Sequence, residues 1–333
     1  MLEPMKGFKI TTASDVLNKL KNYRTQYNER GKYLGFPAVD RHYTMQLGNV
    51  TDWTGYPISG KTQFLMEMLI NTSILHGWRH LIYFPDVGSN VEIIADLIHK
   101  KTGKSFNPKT ENHISEAEIY AAIDWITHHF LVLTKQDVKA KLTPTQFWDM
   151  AVKIKNETGL ETASIDSWKD LSHPYNDFGG YAQYLEYVLP YRNAIAENND
   201  LHLNTIIHPK LTEKENGKRK PPVPYDLKGG SEWFNSGKCM ITIDRPDFET
   251  NEVDIYFNKI KPRSIGNIGQ ITMRYDVQSG RYYESTEFGG VERRTYAGEK
   301  AEPITTQNLY GGVTLRDTFT NNEFNERTDD CPF

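Results

Sequence analysis

Cysteine is nearly absent: Cys239 and Cys331 are the only two in 333 residues, and no Cys/His group has zinc-site spacing. His128 and His129 are adjacent, and a helix would set their rings about 100° apart, too far to share one ion. A disulfide-built secreted domain and a structural metal centre are therefore not expected. Long apolar runs are also missing. None approaches the ~18 residues that span a bilayer, and the opening MLEPMKGFKITTASD lacks the apolar h-region of a signal peptide. The expected setting is cytoplasmic, without a membrane partner. Strong charge of one sign is lacking too: 39 Lys+Arg face 43 Asp+Glu, a net charge of −4. Residues 285–333 hold nine acids against five bases, so that segment carries the whole imbalance and the rest is neutral. A uniformly basic nucleic-acid coat is excluded, whereas a local basic groove is not. The apolar share of 38% is low enough to leave part of the chain outside a core, but too high for a wholly disordered protein.

The patterning between residues 39 and 285 alternates short β-rich runs with helical stretches. Strands are predicted at His80–Phe84, Phe130–Leu133, Ala163–Asp166, Leu203–Ile207 and Met240–Ile243. Helices are predicted at Gln63–His76, Val91–Lys101, Glu116–His128, Pro144–Glu157 and Tyr181–Asn198. This alternation predicts an α/β layer with a mostly parallel sheet and helices on both faces. Shorter runs at Val253–Lys259, Gln270–Tyr275 and Arg281–Glu284, separated by glycines, read as β-hairpin additions at one edge. Ahead of this domain, residues 1–38 are expected to form a linker whose helix, over residues 13–30, has Val16, Leu17, Leu20 and Tyr23 on one stripe. Residues 286–333 show no sustained period and are read as a disordered acidic tail.

Gly55-Tyr56-Pro57-Ile58-Ser59-Gly60-Lys61-Thr62 satisfies the G-x-x-x-x-G-K-[ST] pattern. Phosphate binding needs glycines so that successive amides can turn inward, and a helix N-terminus behind them. Gln63–His76 supplies that helix. Lys61 would neutralise the β/γ-phosphates and Thr62 would ligate Mg²⁺. The run Gly48–Thr54 before it is a weak strand, because Asp52 and Trp53 interrupt it. Hydrolysis also needs a Mg²⁺-organising carboxylate at a strand end, and Asp166 is the candidate. Read alone, it is equally a turn or N-cap Asp.

Taken in order, GYPISGKT (55–62), YFPD (83–86), IDSW (165–168), NTIIHPK (204–210), PVPYDLKGGSEWFN (222–235), KPRSIGNIG (261–269) and ITMRYD (271–276) resemble the RecA-type motor domain of Twinkle-like and phage replicative helicases in the DnaB superfamily. The resemblance spans residues 39–284 and implies a RecA-like P-loop NTPase core. It implies that Gly55, Ser59, Gly60, Lys61 and Thr62 hold the phosphates, and that Thr62 and Asp166 hold Mg²⁺. ATP or another NTP or dNTP would be the nucleotide, its base sandwiched by Arg245 and Tyr275. His208 falls at the γ-phosphate sensor and Arg263 at the trans-acting arginine finger. Read alone, His208 is as well a core histidine and Arg263 a solvated charge. The family has Glu as general base where this chain has Asp86, one methylene shorter, which implies reduced turnover.

Lys210, Lys214, Lys218, Arg219 and Lys220 lie in KLTEKENGKRK, a flexible basic loop suited to a DNA backbone. The tip Asp329-Asp330-Cys331-Pro332-Phe333 resembles acidic tails ending in Phe that dock a polymerase or another replisome protein; Asp329, Asp330 and Phe333 would make that contact. The reading is a ring-forming helicase, expected to be a hexamer, that couples NTP hydrolysis to movement on single-stranded DNA and to unwinding. With about 38 residues before the motor, no primase half is expected. A RecA/RadA-like recombinase or loader, and a weakly hydrolysing assembly protein that recruits partners through its tail, are the alternatives.

Overall fold

A computed structural model describes residues 12–17, 21, 31–137, 139–212, 219–288 and 291–297. Six strands run parallel: β1 (Val50–Thr54), β2 (His80–Tyr83), β3 (Phe130–Val132), β4 (Thr162–Asp166), β5 (His202–Ile207) and β6 (Cys239–Asp244). Four more extend the same sheet antiparallel: β7 (Glu252–Lys259), β8 (Gly269–Asp276), β9 (Arg281–Phe288) and β10 (Val291–Tyr296). The full order is β10-β9-β8-β7-β6-β1-β5-β4-β2-β3. The mostly parallel α/β core with C-terminal hairpin additions is thus as expected.

The helices are α1 (Pro37–His42), α2 (Lys61–His76), α3 (Asn90–Thr102), α4 (Glu116–His129), α5 (Pro144–Thr158), α6 (Tyr181–Asn198) and α7 (Gly230–Ser236). Their ends follow from local chemistry. Ser89 with Glu92, Ser115 with Glu118, and Thr143 with Gln146 form reciprocal capping boxes on α3, α4 and α5. Gly77, Gly103 and Gly159 close α2, α3 and α5 in the left-handed conformation. The period-2 alternation of the buried strands divides the core between two faces. Ile82, Ile206, Ile241 and Ile243 pack with α2, α3 and α4, while Leu81, Tyr83, Leu203, Ile207 and Met240 pack with α5, α6 and α7. Among the described residues no helix is long and apolar enough to cross a membrane.

Three expectations need correction. β1 is a fully buried strand despite Asp52 and Trp53. Arg192 of α6 grips both Asp52 oxygens, at 2.5 and 3.1 Å, and the Trp53 indole N–H donates to Asn204 Oδ1 at 3.0 Å. Buried polar groups are tolerated when each finds such a partner. The domain also starts before residue 39. Leu34 and Phe36 are fully buried, and the Asp40 carboxylate accepts from the Leu34 and Gly35 amides. At the other end the sheet runs past residue 285 through β9 and β10. The charges of Val291–Tyr296 hide its strand character in the sequence, yet they suit an exposed edge. Arg294 lies over the Tyr283 ring, 4.8 Å from its centroid. Of the predicted helix over 13–30, only residues 12–17 and 21 are described, with a short 3₁₀ turn at Ser14–Val16. The remainder of that segment lies outside the described residues, as do residues 298–333.

Two histidines sit wholly inside this sheet. His80 lies between Thr162 Oγ1 (2.7 Å) and Ser73 Oγ (2.9 Å), and His202 lies between the Gln46 carbonyl (2.7 Å) and Thr51 Oγ1 (3.1 Å). Burial holds His80 down to about 3 and His202 down to about 4, against an ordinary 6.5. Below pH 6.5 the unfolded chain takes up protons that the folded chain refuses, so stability falls with pH. Urea unfolding should lose about 1.4 kcal/mol per histidine per pH unit below that point, roughly 4 kcal/mol for the pair by pH 5. A His202→Gln variant should shed about half of that slope, and an unchanged slope would contradict the assignment.

Candidate nucleotide site

β1 feeds directly into the loop Gly55–Gly60, which opens α2. Two loop positions depend on glycine. A Cβ on Gly55 would run into the Ile243 carbonyl, and Gly60 has φ +92° with the Tyr282 hydroxyl 2.7 Å from where its Cβ would sit. Inside the loop the Ser59 hydroxyl is buried and has no hydrogen-bond partner. The Lys61 ammonium donates to the loop's own Tyr56 carbonyl at 2.8 Å. Burial brings Lys61 down to about 8, with Asp166 and then Asp86 resisting the fall. An orphaned hydroxyl, a buried cation and the N-terminus of a 16-residue helix together fit a phosphate chain.

The acidic residues arrive from neighbouring strands. Asp166 ends β4 and accepts a hydrogen bond from the Thr62 hydroxyl. Burial pushes Asp166 up to about 6, against the pull of Thr62 and Lys61. Asp86 follows β2 by three residues. Its Oδ1 accepts from the Lys169 ammonium at 2.9 Å, and its Oδ2 stands 3.3 Å from His208 Nε2, just beyond β5. Burial works upward on Asp86, but Lys169 and His208 outweigh it and hold the carboxyl below its usual range. Burial, helped by Lys61 and Lys169, lowers His208 and so favours its neutral ring. Ligand atoms of Asp86, Asp166 and His208 all lie within 4.8 Å of one another. The short Asp86 carboxylate therefore reaches the cluster. The Thr62 hydroxyl and the Asp166 carboxylate are hard oxygen donors of the kind that suit Mg²⁺.

The convergence is a product of topology. β1, β5, β4 and β2 are consecutive in the sheet and parallel, so the P-loop, His208, Asp166 and Asp86 emerge at one edge, where α/β sheets bind ligands. From there a cleft of 410 Å³ runs to Arg245 and Tyr275, the two residues expected to sandwich a base. The Arg245 guanidinium is braced by the Phe248 and Thr250 carbonyls at 3.1 and 2.9 Å. The Tyr275 ring packs 5.0 Å from Tyr282, with the buried Lys100 ammonium 5.2 Å from its centroid. Sequence reasoning did not single out Gln63 and Asp96, which share a 2.9 Å hydrogen bond in the cleft wall, nor Tyr282 and Lys169. Gln63 directly follows the GKT triplet and Lys169 follows Asp166 by three. That proximity to motifs was the available signal.

Other candidates fall elsewhere. Arg263 is exposed, and it shares a 660 Å³ hollow with Asn49 and Val50, at the start of β1. β1 has its P-loop at one end and Arg263 at the other, so this guanidinium cannot complete its own chain's cleft. Lys210, Arg219 and Lys220 are described and exposed, whereas Lys214 and Lys218 lie outside the described residues. Arg219 lies over the Tyr56 ring, 5.8 Å from its centroid, and the Tyr56 hydroxyl meets Thr212 Oγ1 at 2.5 Å. The stems of the basic loop thus touch the P-loop. Asp329, Asp330 and Phe333 lie outside the described residues.

No protein-family model matches the chain. Among curated proteins it is similar to the chloroplastic/mitochondrial Twinkle homolog protein of Arabidopsis thaliana, 22% identical over 322 positions. That match covers 88% of this chain but only 42% of the relative, so the chain spans about two-fifths of the relative's length. Among solved structures it is similar to the ATPase domain of a phage helicase, with a TM-score of 0.68 and 16% identity, covering 82% of this chain and 99% of that one. It is also similar to a DnaB-like replicative helicase solved in a study of its interactions with primase, with a TM-score of 0.64 and 16% identity, covering 82% and 67%. The chain has the RecA-type fold of DnaB-like helicase ATPase domains.

The glycine geometry gives a direct check. Gly60→Ala forces a Cβ into a left-handed residue that faces Tyr282, at a cost of about 1–2 kcal/mol. Equilibrium titration with a labelled nucleotide should show binding weakened about tenfold or more. Unchanged affinity would remove this loop from phosphate binding.

Proposed function

We propose that the chain is the motor of an oligomeric replicative DNA helicase, in which one protomer cradles the nucleotide and its neighbour supplies Arg263. The observation that carries this reading is the placement of the P-loop and Arg263 at opposite ends of β1. A protomer built this way has a nearly complete cleft at one end and exports a guanidinium at the other. Copies stacked in the same sense around a ring would join the two, and a hexamer is the assembly that the DnaB-like resemblance favours.

Hydrolysis in such a cleft needs few moving parts. A water oxygen attacks the γ-phosphorus, and the bond from that phosphorus to the bridging oxygen breaks. The nucleoside diphosphate leaves with the electron pair, and the water proton passes to Asp86. Lys61 and the loop amides hold the phosphates, and Mg²⁺ held by Thr62 and Asp166 would supply charge neutralisation there. His208 sits where it can sense the terminal phosphate, and Arg263 of the neighbour spreads positive charge over the transferring group. Arg245 and Tyr275 clamp the base, which would be that of ATP or another nucleotide.

Transmission to DNA is assigned to the basic loop at residues 210–220. The contacts of its stems with Tyr56 support a coupling between phosphate occupancy and the loop's position. Asp329, Asp330 and Phe333 would recruit a polymerase or another replisome component. The resemblance favours 5′→3′ movement.

Mixing two dead proteins tests the shared site. Lys61→Ala and Arg263→Ala should each lose DNA-stimulated hydrolysis, the latter by about 10³-fold as for other trans-acting arginines. Mixed protomers should regain a measurable fraction of it and of unwinding on a forked duplex. Full activity of Arg263→Ala alone, or no recovery on mixing, would overturn the shared site. Recovery of hydrolysis without unwinding would favour a recombinase or loader.

A further inference from the structure

Lys169 has no role in the scheme above, yet its ammonium stands at the terminal-phosphate end of the cleft. It lies on the 3₁₀ turn Trp168–Asp170, immediately beyond β4. The backbone of that turn is firmly held. The Asp170 carboxylate accepts from the Ser167 amide at 3.2 Å and from its hydroxyl at 2.8 Å, and the Trp168 ring is buried 5.0 Å from Trp233 and 4.5 Å from His173. The Lys169 side chain is 54% exposed and projects from this fixed base on a flexible stem. Its ammonium donates to Asp86 Oδ1, the atom that must be open to take the proton of an attacking water.

We infer that Lys169 is a γ-phosphate switch, paired with Asp86 when the cleft is empty or holds a diphosphate, and drawn onto the terminal phosphate when a triphosphate binds. The inference rests on the reading of the cleft as a nucleoside-triphosphate site and deepens it by assigning a residue that distinguishes substrate from product. Three features of the molecule carry it. The pair is half exposed, and ion pairs of that kind are weak, so a stronger anion displaces the carboxylate readily. A terminal phosphate carries more charge than one carboxylate and offers three acceptor oxygens, while a diphosphate has no group at that position. The ammonium is also close enough to Lys61 and His208 to lower the pKa of each, which places it beside the phosphate-binding cation and the candidate sensor.

The exchange would have two effects at once. Oδ1 of Asp86 becomes free for water only when a hydrolysable phosphate is present, which suits a base one methylene shorter than Glu. The cleft also gains a second positive charge from its own chain, beside the one arriving from the neighbour. After the phosphate leaves, Lys169 returns to Asp86 and the base is closed again.

The test compares nucleotides rather than rates alone. Wild-type chain, Lys169→Met and Lys169→Arg are titrated in Mg²⁺ with a nucleoside diphosphate and with a non-hydrolysable triphosphate analogue. Lys169→Met should bind the triphosphate analogue about tenfold more weakly while its diphosphate affinity stays within about twofold. Its kcat should drop, and Lys169→Arg should restore both the triphosphate preference and part of the kcat. Equal changes for the two nucleotides, or a lower kcat with the preference intact, would overturn the switch, the latter because it leaves Lys169 only to hold Asp86. A wild-type chain that binds neither nucleotide would overturn the reading of the cleft itself. Circular dichroism should be unchanged in both variants, because Lys169 contributes nothing to the core.

Discussion

Strand direction is the constraint from which the site follows. In a parallel sheet every strand delivers its C-terminal residues to the same edge, and β1, β5, β4 and β2 are neighbours there. Residues 61, 86, 166 and 208 are far apart in the chain, but the four strand ends carry them to within a few ångströms of a common point. The antiparallel β7 has the opposite consequence. It returns the chain to the starting edge of the sheet, so the segment Lys261-Pro262-Arg263 emerges beside Asn49, whose amide donates to the Lys261 carbonyl at 2.8 Å. One change of strand direction thus separates the nucleotide cleft from the arginine that would act on another.

Buried charge ties the antiparallel extension to the nucleotide helix. Glu67 of α2 is fully enclosed, 3.6 Å from Lys100 of α3 and 3.6 Å from Arg281 of β9. Lys100 also donates to the Gly280 carbonyl and lies near the Tyr275 and Tyr282 rings. Burying such groups costs desolvation, so the cluster is weak evidence of net stability, but losing a single member would strand an uncompensated charge. Its effect is positional: α2 begins at the P-loop and β8–β9 carry the aromatic wall, and the cluster fixes one against the other. Asp52 and Arg192 do the same on the opposite face, locking the strand before the P-loop to α6.

Legibility in the sequence tracked the range of the interactions involved. Helix limits were readable within a residue or two, because Ser89, Ser115, Thr143 and the closing glycines act on their own helices. The P-loop was readable because its chemistry lies within eight consecutive residues. β1 was misjudged because Asp52 is satisfied by a residue 140 positions away. β10 was missed because an edge strand with one partner needs no apolar face, and Glu292, Arg293 and Arg294 break the periodicity. Lys169 escaped notice because its partner, Asp86, comes from another strand.

By itself, the sequence determined a P-loop, the strand–helix alternation that makes a parallel sheet, and a set of candidate residues ordered along the chain. Those properties rest on local backbone preference and on short-range spacing. Only the tertiary structure decided which candidates meet: Asp86 with His208 and Lys169, Thr62 with Asp166, and Arg263 with none of them. Strand order and direction set those distances, and both arise from packing across the whole sheet rather than from any one segment.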